Sequence, residues 1–347
     1  MRLAGECGFE LAGVAAAVPL PEVPPFLGWV SRGLAGSMHY LTGVRAERRI
    51  DPRSLLPDAR SVVCVGKLYN TAAANVSSLT DPRSGWISRY AWAGDYHTIL
   101  REGLQDLAAR LQAEAGGPFN WKICVDTAPL LERSYARMAG LGWIGRNTCL
   151  INEPLGSWFF LGELLTSLEL EPNSPPPDRC GSCTRCIKAC PTQALVPTGL
   201  PEGPEFELDS RLCISYFTIE LRGPVPERQR AGMGPHVFGC DICQDVCPWN
   251  RRAPVTSDPR FQPRYFAPPL AELASLTQDE FREMFRDSPV LRAKYQGFLR
   301  NVITAMGNAG LEEFRAPLER LSAHPDPVVA EHARWALRQL RPVSEAP

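Results

Sequence analysis

The sequence predicts an α+β fold in three consecutive parts, and three observations support this division. Apolar runs of strand length alternate with helical patterns in the first part, the proline-rich segment EPNSPPPDRC precedes a sharp rise in cysteine density, and strand patterns disappear from about Leu270 onward. We therefore predict a mixed-sheet domain over residues 1–167, a cysteine-rich domain over residues 168–255 and an all-helical domain over residues 256–347.

Local patterns justify the elements within these parts. In the first part, SVVCVGKLY and WKICVD have the composition of strands, and the run from Tyr96 to Leu111 has the spacing of an amphipathic helix. In the last part, FLRNVITAMGNAG and HPDPVVAEHARWALRQL each predict a helix, the second opening at an Asp-Pro turn. Two such units favour stacked helical pairs of the HEAT type.

Composition excludes several classes of protein. Hydrophobic residues make up 44% of the chain and charged residues 22%, an ordinary globular balance, and the net charge of −1 gives no overall attraction to a polyanion. The N-terminal segment lacks a basic region ahead of an apolar core, and no run reaches the ~18 apolar residues of a membrane span. We therefore expect a cytoplasmic monomer without a membrane anchor.

The cysteines carry the strongest chemical signal. Four form C-x2-C-x2-C-x3-C followed by proline, and three more form C-x2-C-x3-C followed by proline. In bacterial ferredoxins this spacing lets three thiolates of one loop bind three corners of a [4Fe-4S] cluster, while a distant cysteine binds the fourth. Crossed ligation predicts one cluster on Cys180, Cys183, Cys186 and Cys247 and a second on Cys190, Cys213, Cys240 and Cys243.

Structural zinc is the alternative for these cysteines, because four-cysteine zinc sites also use C-x2-C pairs. Zinc does not explain three cysteines at successive two-residue spacing, or the proline after both terminal cysteines, so iron–sulfur clusters are favoured. Disulfides are not expected in a cytoplasmic protein. The four other cysteines lie in apolar stretches and are predicted to be small buried side chains: Cys7, Cys64, Cys124 and Cys149.

A two-cluster module transfers single electrons, yet well over half of this chain lies outside it. The clusters are therefore predicted to carry electrons from an external donor to a redox centre in the first domain. No G-x-G-x-x-G follows a predicted strand, so the sequence does not support a dinucleotide site of the Rossmann type.

Five longer motifs, in order along nearly the whole chain, resemble one enzyme family. They are RYAWAGDYH, VDTAPLLERSYARMAGLGWIGRNTCLI, GSWFFLGELLT, CISYFTIELRG and GCDICQDVCPWN. Together they resemble epoxyqueuosine reductase. The resemblance implies reduction of epoxyqueuosine to queuosine in the wobble position of tRNA, with electrons passing through two [4Fe-4S] clusters to cobalamin. It also implies that the first domain binds the cobalamin and the helical domain binds the tRNA.

Asp126, in the VDT motif, matches the catalytic acid of that family. A carboxyl group with an ordinary pKa is ionised at neutral pH, so we expect either an apolar pocket around Asp126 or the face of the corrin to raise its pKa. The alternative is an N-cap for the helix predicted in PLLERSYARM, because Asp126 also stands at the end of a strand.

Motif position, read through the resemblance, gives candidates for contact with the corrin ring or its nucleotide tail: Arg49, Asn147, Ser157, Tyr216 and Asp241, in addition to Asp126. Three of these residues also have a simpler structural interpretation. Arg49 could be a solvated surface charge, Asn147 a helix cap and Tyr216 part of the packed core. Asp95 and His97 resemble the start of a cobalt-ligating D-x-H-x-x-G signature, but Leu100 replaces its glycine. We therefore expect base-off cobalamin without a histidine below the cobalt.

A tRNA substrate requires a local basic face and access for a splayed base. Candidate phosphate contacts are Arg222, Arg251 and Arg252, and further basic residues nearby are Arg228, Arg230, Arg292, Lys294 and Arg300. For each of these residues the competing reading is a solvated surface charge.

Two other functions compete with the reductase. A corrinoid iron–sulfur reductive dehalogenase has the same cofactors, but such proteins typically carry an export signal, usually lack a helical RNA-binding tail and use a tyrosine as proton donor. A scaffold for electron transfer or RNA binding without catalysis would hold no cofactor in the first domain.

Overall fold

The computed structural model describes residues 1–73, 75–76, 79–199 and 203–340. Its strands are β1 (Leu11–Ala16), β2 (Ser61–Leu68), β3 (Trp86–Ile87), β4 (Trp121–Cys124), β5 (Trp143–Ile144), β6 (Leu150–Ile151), β7 (Phe159–Thr166), β8 (Leu195–Pro197), β9 (Phe206–Leu208) and β10 (His236–Phe238). Its α-helices are α1 (Arg2–Glu6), α2 (Val23–Ser31), α3 (Val44–Arg48), α4 (Tyr96–Ala115), α5 (Glu132–Met138), α6 (Arg185–Ala189), α7 (Glu227–Arg230), α8 (Ile242–Asp245), α9 (Leu270–Ser275), α10 (Gln278–Met284), α11 (Lys294–Ala309), α12 (Arg315–Ser322) and α13 (Pro327–Gln339).

A four-stranded sheet with the order β1-β2-β7-β4 forms the frame of the first domain, and each neighbouring pair is antiparallel. Strand β2 is buried at every residue because the sheet is covered on both faces. One face packs against α5 and the other against α4, so alternate residues of β2 enter two separate cores, as strand geometry requires. The α+β class is confirmed.

The cysteine-bearing segments lie between this sheet and the C-terminal helices. They contain the antiparallel pair β8 and β9, the short helices α6 and α8, and a π-helical turn over Tyr216–Glu220. Strand β10 of this part pairs in parallel with β3 of the first part, so the two parts are joined by backbone hydrogen bonds.

The C-terminal part is helical, as predicted. Helix α13 begins after Asp326, whose carboxylate accepts hydrogen bonds from the amides of Val328 and Val329 at 2.8 and 3.3 Å, so the Asp-Pro turn is an N-cap. Helices α11 and α13 pack on each other and share a core with Trp86 and Phe238. The helical part therefore rests directly on the segments that carry the site described below.

Candidate active site and cluster-binding loops

The first predicted cysteine set surrounds a single cavity. Cys180, Cys183, Cys186 and Cys247 line a space of about 250 Å³. Within the described ranges, no three His, Cys, Asp or Glu side chains stand close enough to share one metal ion. The four thiols are therefore spaced around a volume larger than one ion, and this arrangement fits a cluster better than a zinc ion.

The second predicted set also comes together. Cys240 lies within electrostatic reach of Cys213 and Cys190, and Cys243 lies within reach of Cys240 and Cys213. Their loops pack on a small core of Ile214, Phe217, Val225 and Met233. The assignment of individual cysteines to the two clusters stays a prediction.

Cys7 and Cys149 are only partly buried, so the prediction of a small buried side chain is wrong for both, and Cys149 also lies at the cluster loops. Its thiol is within hydrogen-bonding range of Cys243, and its amide donates to Asn147 Oδ1 at 3.2 Å. The sequence feature that could have predicted this position is the polar segment before Cys149 in GRNTCLI, because Arg146 and Asn147 contact the cluster loops. Cys64 and Cys124 are buried in the sheet core, as predicted.

Asp126 lies at the centre of a tight turn just after β4. Its φ is +55°, and the amide of Thr127 donates to the carbonyl of Val125 at 2.5 Å across it, which is the pattern of a γ-turn. The prediction that Asp126 caps the following helix is wrong, because α5 begins at Glu132 and its N-cap residue is Leu131. The turn instead leaves the carboxylate of Asp126 directed toward two cations.

Those cations are His97 and Arg292. His97 Nε2 lies 3.4 Å and Arg292 Nη1 lies 3.3 Å from Asp126 Oδ2. Burial alone would raise the pKa of Asp126, but the hydrogen bond from His97 and the charge of Arg292 outweigh burial and lower it. The prediction that an apolar pocket raises the pKa of Asp126 is therefore wrong, since two charged donors face the carboxylate. The alternative, that the corrin face raises it, stays a prediction.

His97 is held from both sides. Its Nδ1 lies 2.6 Å from Asp95 Oδ1, and its Nε2 faces Asp126. Burial lowers the pKa of His97, but the hydrogen bonds with Asp126 and Asp95 outweigh it and raise the pKa to about 9. The imidazole is thus protonated at neutral pH. Both ring nitrogens are therefore engaged by carboxylates.

Arg292 connects this carboxylate to the second cysteine set. Its Nε lies 2.8 Å from Glu220 Oε1, and its guanidinium lies over the ring of Tyr40, 5.2 Å from the centroid. Glu220 ends the π-helical turn that follows Cys213. Two side-chain contacts therefore link Asp126 to the segment that carries a predicted cluster ligand.

A second pair of acids lies behind the Asp126 turn. Glu132 Oε1 accepts a hydrogen bond from the amide of Asp126 at 2.6 Å, and the Glu132 carboxyl reaches Glu163 of β7. Glu163 is completely buried. Sequence analysis missed both residues, although a glutamate inside the apolar run FFLGELLT was a signal for one of them.

The five predicted corrin contacts are buried, and all five form hydrogen bonds with the protein. Arg49 Nη1 donates to the carbonyls of Tyr40 and Arg45 at 2.8 and 2.9 Å, so it is not a solvated charge. Asn147 contacts the cluster loop through the carbonyl of Cys243 at 3.4 Å, and it lies outside every helix.

The remaining three tie neighbouring segments together. Ser157 Oγ donates to Gln244 Oε1 at 2.8 Å, and Tyr216 Oη accepts from the amide of Ser37 at 2.9 Å. Asp241 accepts from the amide of Arg89 at 2.7 Å and from Ser88 Oγ at 2.5 Å. The structure brings all three to the boundary between the sheet domain and the cysteine loops.

The predicted tRNA contacts divide into two groups. Arg251 and Arg252 are exposed, and neither forms a side-chain hydrogen bond or ion pair with another described residue. Arg222 is exposed, but its guanidinium donates to the carbonyls of Ala293 and Arg292, both at 2.9 Å. Arg222 therefore also joins the cysteine-rich part to the helical part.

Two further basic candidates are excluded by burial. Arg230 is 2% exposed and donates to the carbonyl of Val225 at 2.9 Å. Arg300 is 1% exposed and donates to the carbonyls of Leu221 and Gly223 at 2.9 and 2.6 Å. These arginines satisfy buried carbonyl groups, so the expectation that they contact phosphate is wrong.

Comparison with known proteins defines the class first. A family model described as "4Fe-4S double cluster binding domain" matches residues 179–250. This segment contains all eight cysteines that are predicted to bind the clusters. A model described as "Epoxyqueuosine reductase QueG, DUF1730" matches residues 49–127, which end just after Asp126. Fold and site together define a two-cluster iron–sulfur oxidoreductase.

The relatives then give the family. An epoxyqueuosine reductase from Xanthomonas campestris pv. campestris is 41% identical over 97% of this chain and 94% of its own, and one from Pseudomonas aeruginosa is 42% identical over 96% and 91%. The chain belongs to the epoxyqueuosine reductase family.

Solved structures agree with this assignment. A crystal structure of epoxyqueuosine reductase with an epoxyqueuosine-modified tRNA-Tyr stem loop superposes with a TM-score of 0.87 at 29% identity, covering 97% of this chain and 88% of that one. A Bacillus subtilis epoxyqueuosine reductase, whose catalytic aspartate loop is described as swung out of the active site, superposes with a TM-score of 0.80 at 26% identity, covering 98% and 97%. Within the described ranges, no helix is long and apolar enough to cross a membrane.

Proposed function

We propose that this protein reduces epoxyqueuosine to queuosine in the wobble position of tRNA, with Asp126 as the proton donor. The observation that carries the proposal is the placement of the Asp126 carboxylate between His97 and Arg292, two contacts from the segment of Cys213. Arg292 thus links a proton source to the segment that carries a predicted cluster ligand. The solved relative that holds an epoxyqueuosine-modified stem loop supports the same substrate.

The reaction defines what the site must supply. Conversion of the epoxide to an alkene consumes two electrons and two protons and releases the oxygen as water. Asp126 is partly exposed, at 38% of its side chain, so its carboxyl group is accessible to a bound substrate. His97, protonated at neutral pH, lies in position to transfer a proton from Nε2 to Asp126 Oδ2.

Arg292 and Asp95 assist this transfer in different ways. Asp95 fixes the orientation of the His97 ring through Nδ1 and favours its protonated form. Arg292 places a positive charge next to the carboxylate that remains after the proton has left, so it stabilises the spent form of Asp126. Because the pKa of His97 is about 9 and that of Asp126 is lowered, the proton rests on His97, and Asp126 delivers it to the substrate by taking it up from Nε2 in the same step.

The residues present fit the iron–sulfur clusters. We assign one cluster to Cys180, Cys183, Cys186 and Cys247, which line one cavity, and the other to Cys190, Cys213, Cys240 and Cys243. The clusters would supply electrons one at a time from an external donor. Cytoplasmic location and a monomeric state remain predictions.

For cobalamin the fit is different. It would supply a metal that stores electrons for the epoxide, and the family resemblance implies it, bound base-off. The five residues predicted to contact it also form hydrogen bonds with the protein, and their contacts with the corrin stay a prediction. The proton transfer through His97 and Asp126 does not depend on those contacts.

The decisive experiment uses anaerobically reconstituted protein, cobalamin and a reductant with epoxyqueuosine-containing tRNA. Nucleoside mass analysis should show the loss of one oxygen atom. Asp126→Asn should lower the rate by at least ~10²-fold, the usual contribution of a general acid. Asp106→Asn, which changes an exposed aspartate paired with Arg110, is the matched control and should keep full activity. Full activity of Asp126→Asn would falsify the acid role.

Family membership at about 40% identity over nearly the whole chain disfavours the reductive dehalogenase alternative. A scaffold without catalysis is also disfavoured. The Asp126 carboxylate is accessible to a bound molecule, and the packing of the protein alone does not require that access. An absorption spectrum after reconstitution with cobalamin separates a scaffold from a corrinoid enzyme, since a scaffold would take up no corrinoid.

A further inference from the structure

Glu163 is an unusual residue for the centre of a sheet. It lies on β7 directly opposite Cys64 of β2 and Cys124 of β4, on the face that packs against α5. Its side chain is 0% exposed, and neither carboxyl oxygen accepts from an N–H or hydroxyl donor among the described residues. An ionised carboxylate in this place would be strongly destabilising, so Glu163 must be neutral or share a proton.

Glu132 is the group that can share it. It is the first residue of α5, a helix that packs on β7, and its carboxyl lies within hydrogen-bonding range of Glu163. Its Oε1 also accepts the amide hydrogen of Asp126 at 2.6 Å. One side chain therefore connects the buried acid of the sheet to the backbone of the proposed proton donor.

The charges around the pair do not neutralise it. Asp126 adds a further negative charge, while Arg133 and Arg49 lie within electrostatic reach of Glu132 but not of Glu163. The remaining titratable neighbours among the described residues are the phenol of Tyr96 and the thiols of Cys64 and Cys124. Burial raises the pKa of both glutamates, that of Glu132 to about 7. The charge of Asp126 adds to this rise in both, and the charge of Glu132 adds to it in Glu163, whereas the hydrogen bond with Glu163 lowers the pKa of Glu132. The pair therefore keeps at least one proton near neutral pH.

We propose that Glu163 and Glu132 share one proton, and that the paired Glu132 carboxylate holds the backbone of Asp126 in its γ-turn. A residue at φ +55° in such a turn is strained and stays there only when its surroundings hold it. Glu132 supplies an acceptor for the amide of Asp126, the residue at the centre of the turn. Glu132 and Glu163 are thus positioning residues for Asp126, and this part of the inference rests on the proposed function.

Hydrogen exchange of the segment 124–131 tests the anchor without tRNA or cobalamin. Glu132→Ala removes the acceptor and should speed exchange of the Asp126 amide about tenfold, the effect of losing one hydrogen bond. Glu163→Gln keeps a donor toward Glu132, since its amide replaces the shared proton, and should exchange like the parent protein. Equal exchange in all three proteins would overturn the anchor.

Infrared spectroscopy tests the shared proton and does not depend on the folding of Glu132→Ala. The parent protein near pH 7 should show the carbonyl stretch of a protonated carboxylic acid that Glu163→Gln lacks. Glu10→Gln, which changes a carboxylate paired with the ammonium of Lys67, is the matched control and should keep that band. A band unchanged in Glu163→Gln would show that the pair holds no proton.

These readouts separate the anchor from the proposed function. If Asp126→Asn retained full activity, the acid role would fail, but the exchange and infrared results would still decide the anchor. If the anchor failed while Asp126→Asn was inactive, the acid role would stand with another group holding the turn.

Discussion

Arg292 and Asp126 meet side chain to side chain, with Nη1 3.3 Å from Oδ2, although 166 residues separate them in the sequence. Arg292 belongs to a 3-10 helix at the start of the helical part, and Asp126 follows a strand of the sheet domain. The helical part therefore completes the candidate active site in addition to any role in tRNA binding. This contact leads to the first prediction.

Removal of Arg292 should change the pH dependence of the reaction. Arg292→Ala removes a positive charge that lowers the pKa of Asp126, so the descending limb of the single-turnover rate should move to higher pH. Arg292→Lys keeps a charge and should shift it less. Rates at saturating tRNA over a range of pH measure the effect. Arg286→Ala, at an exposed arginine paired with Glu283, should leave the profile in place, and an identical profile in Arg292→Ala would remove Arg292 from the site.

His97 should couple stability to pH. Its pKa is about 9 in the folded protein against an ordinary 6.5, so the folded state retains a proton that the unfolded chain loses between these values. The stabilisation is complete below about pH 6.5 and is lost as the pH rises through about 9. Urea unfolding of His97→Ala should show a flatter dependence in this window. His39→Ala, at an exposed histidine, should keep the parent slope, and an equal slope in His97→Ala would contradict the raised pKa.

The Glu132 and Glu163 pair should also appear in stability measurements. The folded pKa of Glu132 is about 7 against an ordinary 4.5, so stability from its proton is complete below about pH 4.5 and is lost as the pH rises through about 7. Glu163→Gln keeps the hydrogen bond without a shared proton and should therefore lose less stability over that range than the parent. A parallel pH dependence in the two proteins would argue against the pair.

Iron content can test the crossed assignment of the cysteines. If Cys180 and Cys247 bind the same cluster, the double variant Cys180→Ser with Cys247→Ser should lose about half of the iron, as each single variant does. Cys180→Ser with Cys243→Ser should lose nearly all of it, because the changes fall on different clusters. Cys7→Ser, far from both sets in the sequence, is the control. The assignment is wrong if the two double variants lose equal amounts of iron.

Arg251 and Arg252 should contribute to tRNA affinity through phosphate contacts. Replacing both with alanine should weaken binding and lower the slope of log affinity against log salt by roughly 1.4 to 1.8, the value for two contacts. Arg282→Ala with Arg286→Ala changes two exposed arginines that pair with Asp279 and Glu283, and serves as the control. Unchanged affinity and slope would place Arg251 and Arg252 outside the footprint.

The sequence by itself determined what depends on local pattern. The spacing of Cys180, Cys183 and Cys186 predicted a cluster loop, because three ligands of one cubane must come from one short segment. The run from Tyr96 predicted a helix, and Asp326 before proline predicted the start of another, since caps and amphipathic spacing act over a few residues. The long motifs predicted the family.

Only the tertiary structure decided the electrostatics of Asp126. Its partners are His97, 29 residues away, and Arg292, and burial that would raise its pKa is outweighed by these two charges. The burial of Arg230 and Arg300 and the meeting of Glu132 with Glu163 were decided in the same way. A pKa and a hydrogen-bond partner depend on which distant segments pack together, and one-dimensional spacing does not contain that information.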